Sequence, residues 1–104
     1  MPLVTVTMLT GRTRDEKRAI MDGVHKAMVE HFRIPDHDRT QRILELEKDN
    51  FDIPPGKSDR YLIVEVKAFW GRSVDAKRGM YKAIAENMAA LGMDEEVTKS
   101  PWVW

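Results

Sequence analysis

The sequence predicts an α/β chain of the α+β kind. Two tandem βαβ units would build a four-stranded sheet with two helices on one face. Three observations carry this. "TGRTRDEKRAI" (10–20) is nearly repeated as "WGRSVDAKRGM" (70–80), sixty residues later. Each copy directly follows an apolar run of strand length, and each opens a segment whose apolar residues recur at helical spacing. In a chain of 104 residues this fits one domain, 1–104, made of two pseudo-repeats at about 2–47 and 61–99.

The first unit opens with "PLVTVTML" (2–9), rich in Val and Thr. Gly11 breaks the run. Thr13 and Glu16 form a capping box, in which each side chain satisfies a free N–H at a helix start. Ile20, Val24, Ala27, Met28 and Phe32 then make one apolar stripe, which predicts a helix near 14–32 that Pro35 stops. "QRILELE" (41–47) is the second strand candidate.

In the second unit "YLIVEVKAFW" (61–70) reads as the clearest strand, Gly71 turns it, Ser73 caps, and Asp75 suits the helix N-terminus. Met80, Tyr81, Ile84, Met88 and Leu91 form the stripe of a helix near 73–91, with Gly92 as its C-terminal cap. "EEVTK" (95–99) is the fourth strand candidate. The Pro/Gly/Asp-rich stretch around "NFDIPPGKSD" (50–59) joins the halves as a loop over 48–60. Both faces of the two long strands carry apolar residues, and nothing else in the chain is large enough to cover the face the helices leave bare. Self-association is therefore expected, with Trp102 and Trp104 taking part.

Composition excludes several function classes. Lys plus Arg and Asp plus Glu number 17 each, so no net charge draws the chain to nucleic acid or an acidic membrane. With no cysteine there is no disulfide, thiolate metal site or thiol nucleophile. No secretory leader and no membrane-length apolar run is present, and a cytoplasmic location is expected. His25, His31 and His37 are six apart, a spacing that turns a helix by about 240° per step, so they share no face and no metal is expected.

Glycine in the repeated turn has a backbone reason and Thr or Ser a capping reason. Arginine has neither, because a cation before a helix start opposes the helix dipole. It is either a surface residue paired with a nearby carboxylate, such as Asp15 or Asp75, or an anion binder beside free helix N–H groups.

Pro2 ahead of a strand, followed by Gly-Arg-Thr/Ser opening a helix, resembles the tautomerase superfamily, whose members use an amino-terminal proline exposed by loss of the initiator Met. "IPDHDRTQ" (34–41) and "GRSVDAKRGMYKAI" (71–84) resemble the two-unit branch that contains malonate semialdehyde decarboxylase. The resemblance covers roughly residues 2 to 95 and implies a role for each matched position. Pro2 is the general base. Arg72 holds the substrate carboxylate, and Arg12 matches the arginine that does so in single-unit relatives. Asp38 orients or activates water or substrate, and Arg39 and Trp70 join the substrate-binding set. Trp70 stands where the decarboxylase carries a second arginine, and the chain ends at "SPWVW" where relatives usually continue.

The chemistry implied is tautomerisation of a small 2-oxo or enol acid, without cofactor, in a homotrimer with no nucleic-acid or membrane partner. Two other readings compete with it. One is a lyase that decarboxylates or hydrates a three-carbon acid with the same Pro2 and Arg72. The other is an oligomeric binding protein with a degenerate site.

Overall fold

The structure, a computed structural model, describes residues 3–67 and 73–99. Strand β1 (Leu3–Leu9) leads into helix α1 (Arg14–Phe32) and strand β2 (Thr40–Leu46). A single 3-10 turn (Lys48–Asn50) precedes β3 (Tyr61–Lys67), α2 (Val74–Ala90) and β4 (Asp94–Lys99). The strand order is β2-β1-β3-β4. β1 pairs β2 in parallel from Leu3↔Thr40 to Leu9↔Leu46, and β3 pairs β4 in parallel from Tyr61↔Asp94 to Val66↔Lys99. The units join through antiparallel β1 and β3, from Leu3↔Lys67 to Thr7↔Ile63. A parallel strand–helix–strand connection puts its helix on a sheet face, and here both helices pack on the same one.

Side-chain alternation sorts the two faces. Val4, Val6 and Met8 of β1 and Leu62, Val64 and Val66 of β3 point into one core with Ile20, Val24 and Met28 of α1 and Met80, Ile84 and Met88 of α2. The sixty-residue offset survives in three dimensions: Val4 and Val64, and Val6 and Val66, are buried equivalents. The helices approach closely because Gly79 lies against the His31 ring, and Asn87 Nδ2 donates to Gly23 O at 2.8 Å.

The opposite face is not bare along its whole length, which corrects the expectation that nothing in the chain covers it. Phe51 and Ile53, from the linking loop, pack with Leu9, Leu46, Tyr61 and Ile63 in a second cluster. The Pro/Gly/Asp-rich loop joins the halves as expected, and its two apolar residues anchor it to the sheet. Beyond that cluster the face is mixed: Arg42 Nε donates to Thr5 Oγ1 at 3.0 Å, and Leu44 is 45% exposed.

The helix ends follow local chemistry. Thr13 Oγ1 accepts from Glu16 N at 3.1 Å, and Ser73 Oγ accepts from Ala76 N at 3.0 Å. The reciprocal half of the first capping box differs from expectation, because Glu16 Oε2 turns towards Arg12 and Arg60, at 3.9 and 3.6 Å. α2 closes with Gly92 at φ +76°, its N–H bonded to Ala89 O and the Met93 N–H to Met88 O. These are the two bonds of a Schellman cap. α1 ends at Arg33, in a left-handed conformation (φ 54°), two residues before the expected stop at Pro35. Among the described residues no helix is long and apolar enough to cross a membrane.

Candidate functional site

The strand register decides which sequence segments meet. Leu3 pairs with both Thr40 and Lys67. The start of β1, the start of β2 and the end of β3 therefore lie at one end of the sheet. The chain just before Leu3 carries Pro2, the chain just before Thr40 carries Asp38 and Arg39, and the chain after Lys67 carries Trp70 and Arg72. Pro2, Trp70 and Arg72 lie outside the described residues. Ser73, next to Arg72, fixes the start of α2 through its cap.

Asp38 is partly buried and its N–H donates to Pro35 O at 2.9 Å, closing the turn that leads into β2. That turn is tied to α1 by His25, only 5% exposed, whose Nε2 lies 2.8 Å from Asp36 O. The sequence considered His25 only as a metal ligand. Its spacing, three and seven residues before Met28 and Phe32 of the α1 stripe, is the signal in the sequence that turns it inward, and it is buried there. Arg39 is held by the Asp22 carboxylate of α1, which also lies 3.9 Å from Arg18.

Arg12 is at the other end. β1 runs seven residues from Leu3 to Leu9, a length of roughly 20 Å, and Arg12 follows its far end. Within one chain, Arg12 cannot reach a ligand held at the start of β1. Its side chain is 7% exposed, with Nη1 2.8 Å from Met93 Sδ. Burial in the first place, and then Arg60, hold its pKa below the ordinary arginine value, while Glu16 opposes them. Arg60, just before β3, donates from Nε to Gly92 O at 2.8 Å and from Nη2 to Leu91 O at 3.4 Å, so it caps the C-terminus of α2. Arg60 and Met93 were not singled out in the sequence. The antiparallel match of the two units is the signal for both, since it places the start of the second unit beside the end of the first strand.

Known proteins share this sequence pattern and architecture. One family described as tautomerase enzyme matches residues 2–58, and a second of the same description matches residues 38–97, each more than half of the chain. The probable tautomerase YusQ of Bacillus subtilis (strain 168) is 24% identical over 102 residues, covering 92% of this chain and 80% of the relative. FG41 malonate semialdehyde decarboxylase, solved with the inhibitor 3-bromopropiolate, superposes with a TM-score of 0.85 at 28% identity, over 94% of this chain and 81% of that one. A fused 4-OT solved as a symmetric trimer superposes with a TM-score of 0.79 at 24% identity, over 94% and 83%, and shares the fold.

Proposed function

Because the chain belongs to the tautomerase family, we propose that it interconverts the keto and enol forms of small 2-oxo acids, with Pro2 as general base. The observation that supports this is the register: Leu3, which follows Pro2, aligns with Thr40, two residues after Asp38, and with Lys67, five residues before Arg72. The reaction needs a base beside the carbonyl, a donor for the developing enolate oxygen, and a cation for the carboxylate. An amino-terminal amine has a pKa near ~7.7–8, already close to the optimum for proton transfer at neutral pH. A neighbouring cation lowers it further by disfavouring the charged form. Pro2 acts this way only after Met1 is removed, since its nitrogen is otherwise an amide. Arg72 offers a planar two-pronged donor for the carboxylate, and an arginine or backbone N–H serves the enolate oxygen. No step needs a cofactor.

The second reading, a decarboxylase or hydratase, is favoured by Asp38 at the start of β2 and by the likeness to malonate semialdehyde decarboxylase. Trp70, in place of a second cation, argues against it. For assembly, the part of that sheet face which the linking loop leaves uncovered, with Leu44, and the trimeric fused 4-OT relative support a homotrimer in which it is buried. A screen of purified, Met1-free protein with phenylpyruvate enol, malonate semialdehyde and a haloacrylate tests the reading. Turnover of the enol, abolished by Pro2→Ala, is expected. Turnover of malonate semialdehyde alone would replace it with the lyase reading, and no turnover of any acid would leave a binding protein.

A further inference from the structure

We propose that His25 is a positioning residue: from α1 it holds the turn that carries Asp38, and so sets where that carboxylate stands at the start of β2. The inference rests on the reading that Asp38 serves the proposed reaction. The segment between the end of α1 at Arg33 and the start of β2 at Thr40 is fixed at its beginning by Ile34, which is buried in the core. The next three residues, Pro35, Asp36 and His37, are exposed. A cavity of about 340 Å³ lies between this turn and α1, with Asp22, His25 and Val29 on the helix side and Asp36 and Arg39 on the turn side. Polar contacts across the cavity, rather than apolar packing, therefore hold the turn here.

Two contacts cross that cavity. His25 Nε2 lies 2.8 Å from Asp36 O, and the Asp22 carboxylate pairs with Arg39. Asp22 and His25 are three apart and share a face of α1. Asp36 and Arg39 are also three apart, so Asp38 sits between the two ties, with its own N–H bonded to Pro35 O. The ties differ in strength. The Asp22 carboxylate is half exposed and lies 3.9 Å from Arg18 as well, so water screens its pair with Arg39. The His25 side chain is only 6% exposed, which keeps water from competing for its bond. A carbonyl oxygen only accepts, so Nε2 carries the proton and donates.

Helix packing does not account for a histidine at this position. The other buried residues of α1, Ile20, Val24, Ala27, Met28 and Phe32, are all apolar. Burying an imidazole among them carries a desolvation cost that a leucine avoids, so the residue is explained by the bond it makes. The register passes the effect of that bond to the site. Thr40 is held in the ladder by its pairing with Leu3, the residue after Pro2. A turn released from α1 moves Asp38 relative to the start of β1 while Thr40 stays in place.

The test compares His25→Leu, which keeps the stripe apolar and removes the donor, with His25→Gln, which keeps an N–H at similar reach. Without substrate, the Asp38 N–H is expected to exchange with water at least about threefold faster in His25→Leu, and at the natural rate in His25→Gln, by NMR. For the acid that is turned over, kcat is expected to fall about tenfold in His25→Leu with little change in KM, and His25→Gln should recover most of it. In an Asp38→Asn background, His25→Leu should cost nothing further, because the carboxylate it places is gone. Full activity in Asp38→Asn would show that the reading of Asp38 has failed, and this use of the tie falls with it. A loss in Asp38→Asn with none in His25→Leu overturns the positioning role alone. Equal losses in His25→Leu and His25→Gln, or additive losses in the double variant, also overturn it. An unchanged Asp38 exchange rate in His25→Leu overturns it whether or not any acid is turned over.

Discussion

Replacing Ser73 by Ala removes a single hydrogen bond, and its consequences separate stability from function. Ser73 Oγ accepts from Ala76 N at 3.0 Å and is the side-chain cap of α2. Thr13 does the same for α1, accepting from Glu16 N at 3.1 Å. Both residues are exposed, so water replaces part of what is lost, and each change should cost about 1 kcal/mol rather than the upper limit near 2. For a domain of this size that lowers Tm by roughly 4–8 °C. Activity should divide the pair. Ser73 directly follows Arg72 and fixes the start of α2, whereas Thr13 lies beyond the far end of β1. We expect kcat/KM for an enol acid to fall about tenfold in Ser73→Ala, the equivalent of roughly 1.4 kcal/mol of transition-state stabilisation. Thr13→Ala should keep nearly full activity below its own Tm. Thermal melts and initial rates at 25 °C measure both. Equal activity losses in the two variants, at equal losses of Tm, would show that the start of α2 has no special bearing on the site.

Arg72→Ala should cost roughly 1.5–3 kcal/mol of transition-state binding for a carboxylate substrate, more than Arg12→Ala costs, and kcat/KM for the two variants ranks them. In Gly79→Ala the new Cβ would stand 2.5 Å from His31 Nδ1. The displaced ring should outweigh the gain of about 1 kcal/mol in helix propensity, so urea melts should show net destabilisation that His31→Ala partly relieves. Burial pushes the Tyr81 phenol up to about 12 from 10. The folded state holds this proton more tightly than the unfolded chain, so its contribution is present below pH 10 and lost as pH rises through 12. Urea midpoints between pH 9 and pH 11 should fall less in Tyr81→Phe than in the natural sequence.

The helices were legible because each stripe is set by spacing alone, from Ile20 to Phe32 and from Met80 to Met88, and each start carries its own cap. Strand edges were less so. β2 begins at Thr40 rather than Gln41, because pairing with Leu3 extends the ladder to a residue whose own side chain gives no sign of it. Phe51 and Ile53 were hidden among prolines and a glycine, and only the sheet they cover explains them. At the site, the repeat exposed the two arginines but not how they are separated. That the end of β3 lies beside the start of β1, while its beginning lies beside the end that leads to Arg12, follows from the antiparallel joining of the units. Arg60 gave no local signal, since its partners, Gly92 O and Leu91 O, lie more than thirty residues away.

The central claim is that a free Pro2 nitrogen is the base, and the most direct measurement compares protein that retains Met1 with protein that has lost it. Both preparations should fold alike, and mass spectrometry gives the fraction processed. With Met1 attached, the Pro2 nitrogen is an amide and cannot accept a proton. Enol turnover should therefore scale with the processed fraction, reach zero when Met1 is fully retained, and rise with pH through one ionisation below that of an ordinary amino terminus. Equal rates from the two preparations would contradict the mechanism and remove Pro2 from the site.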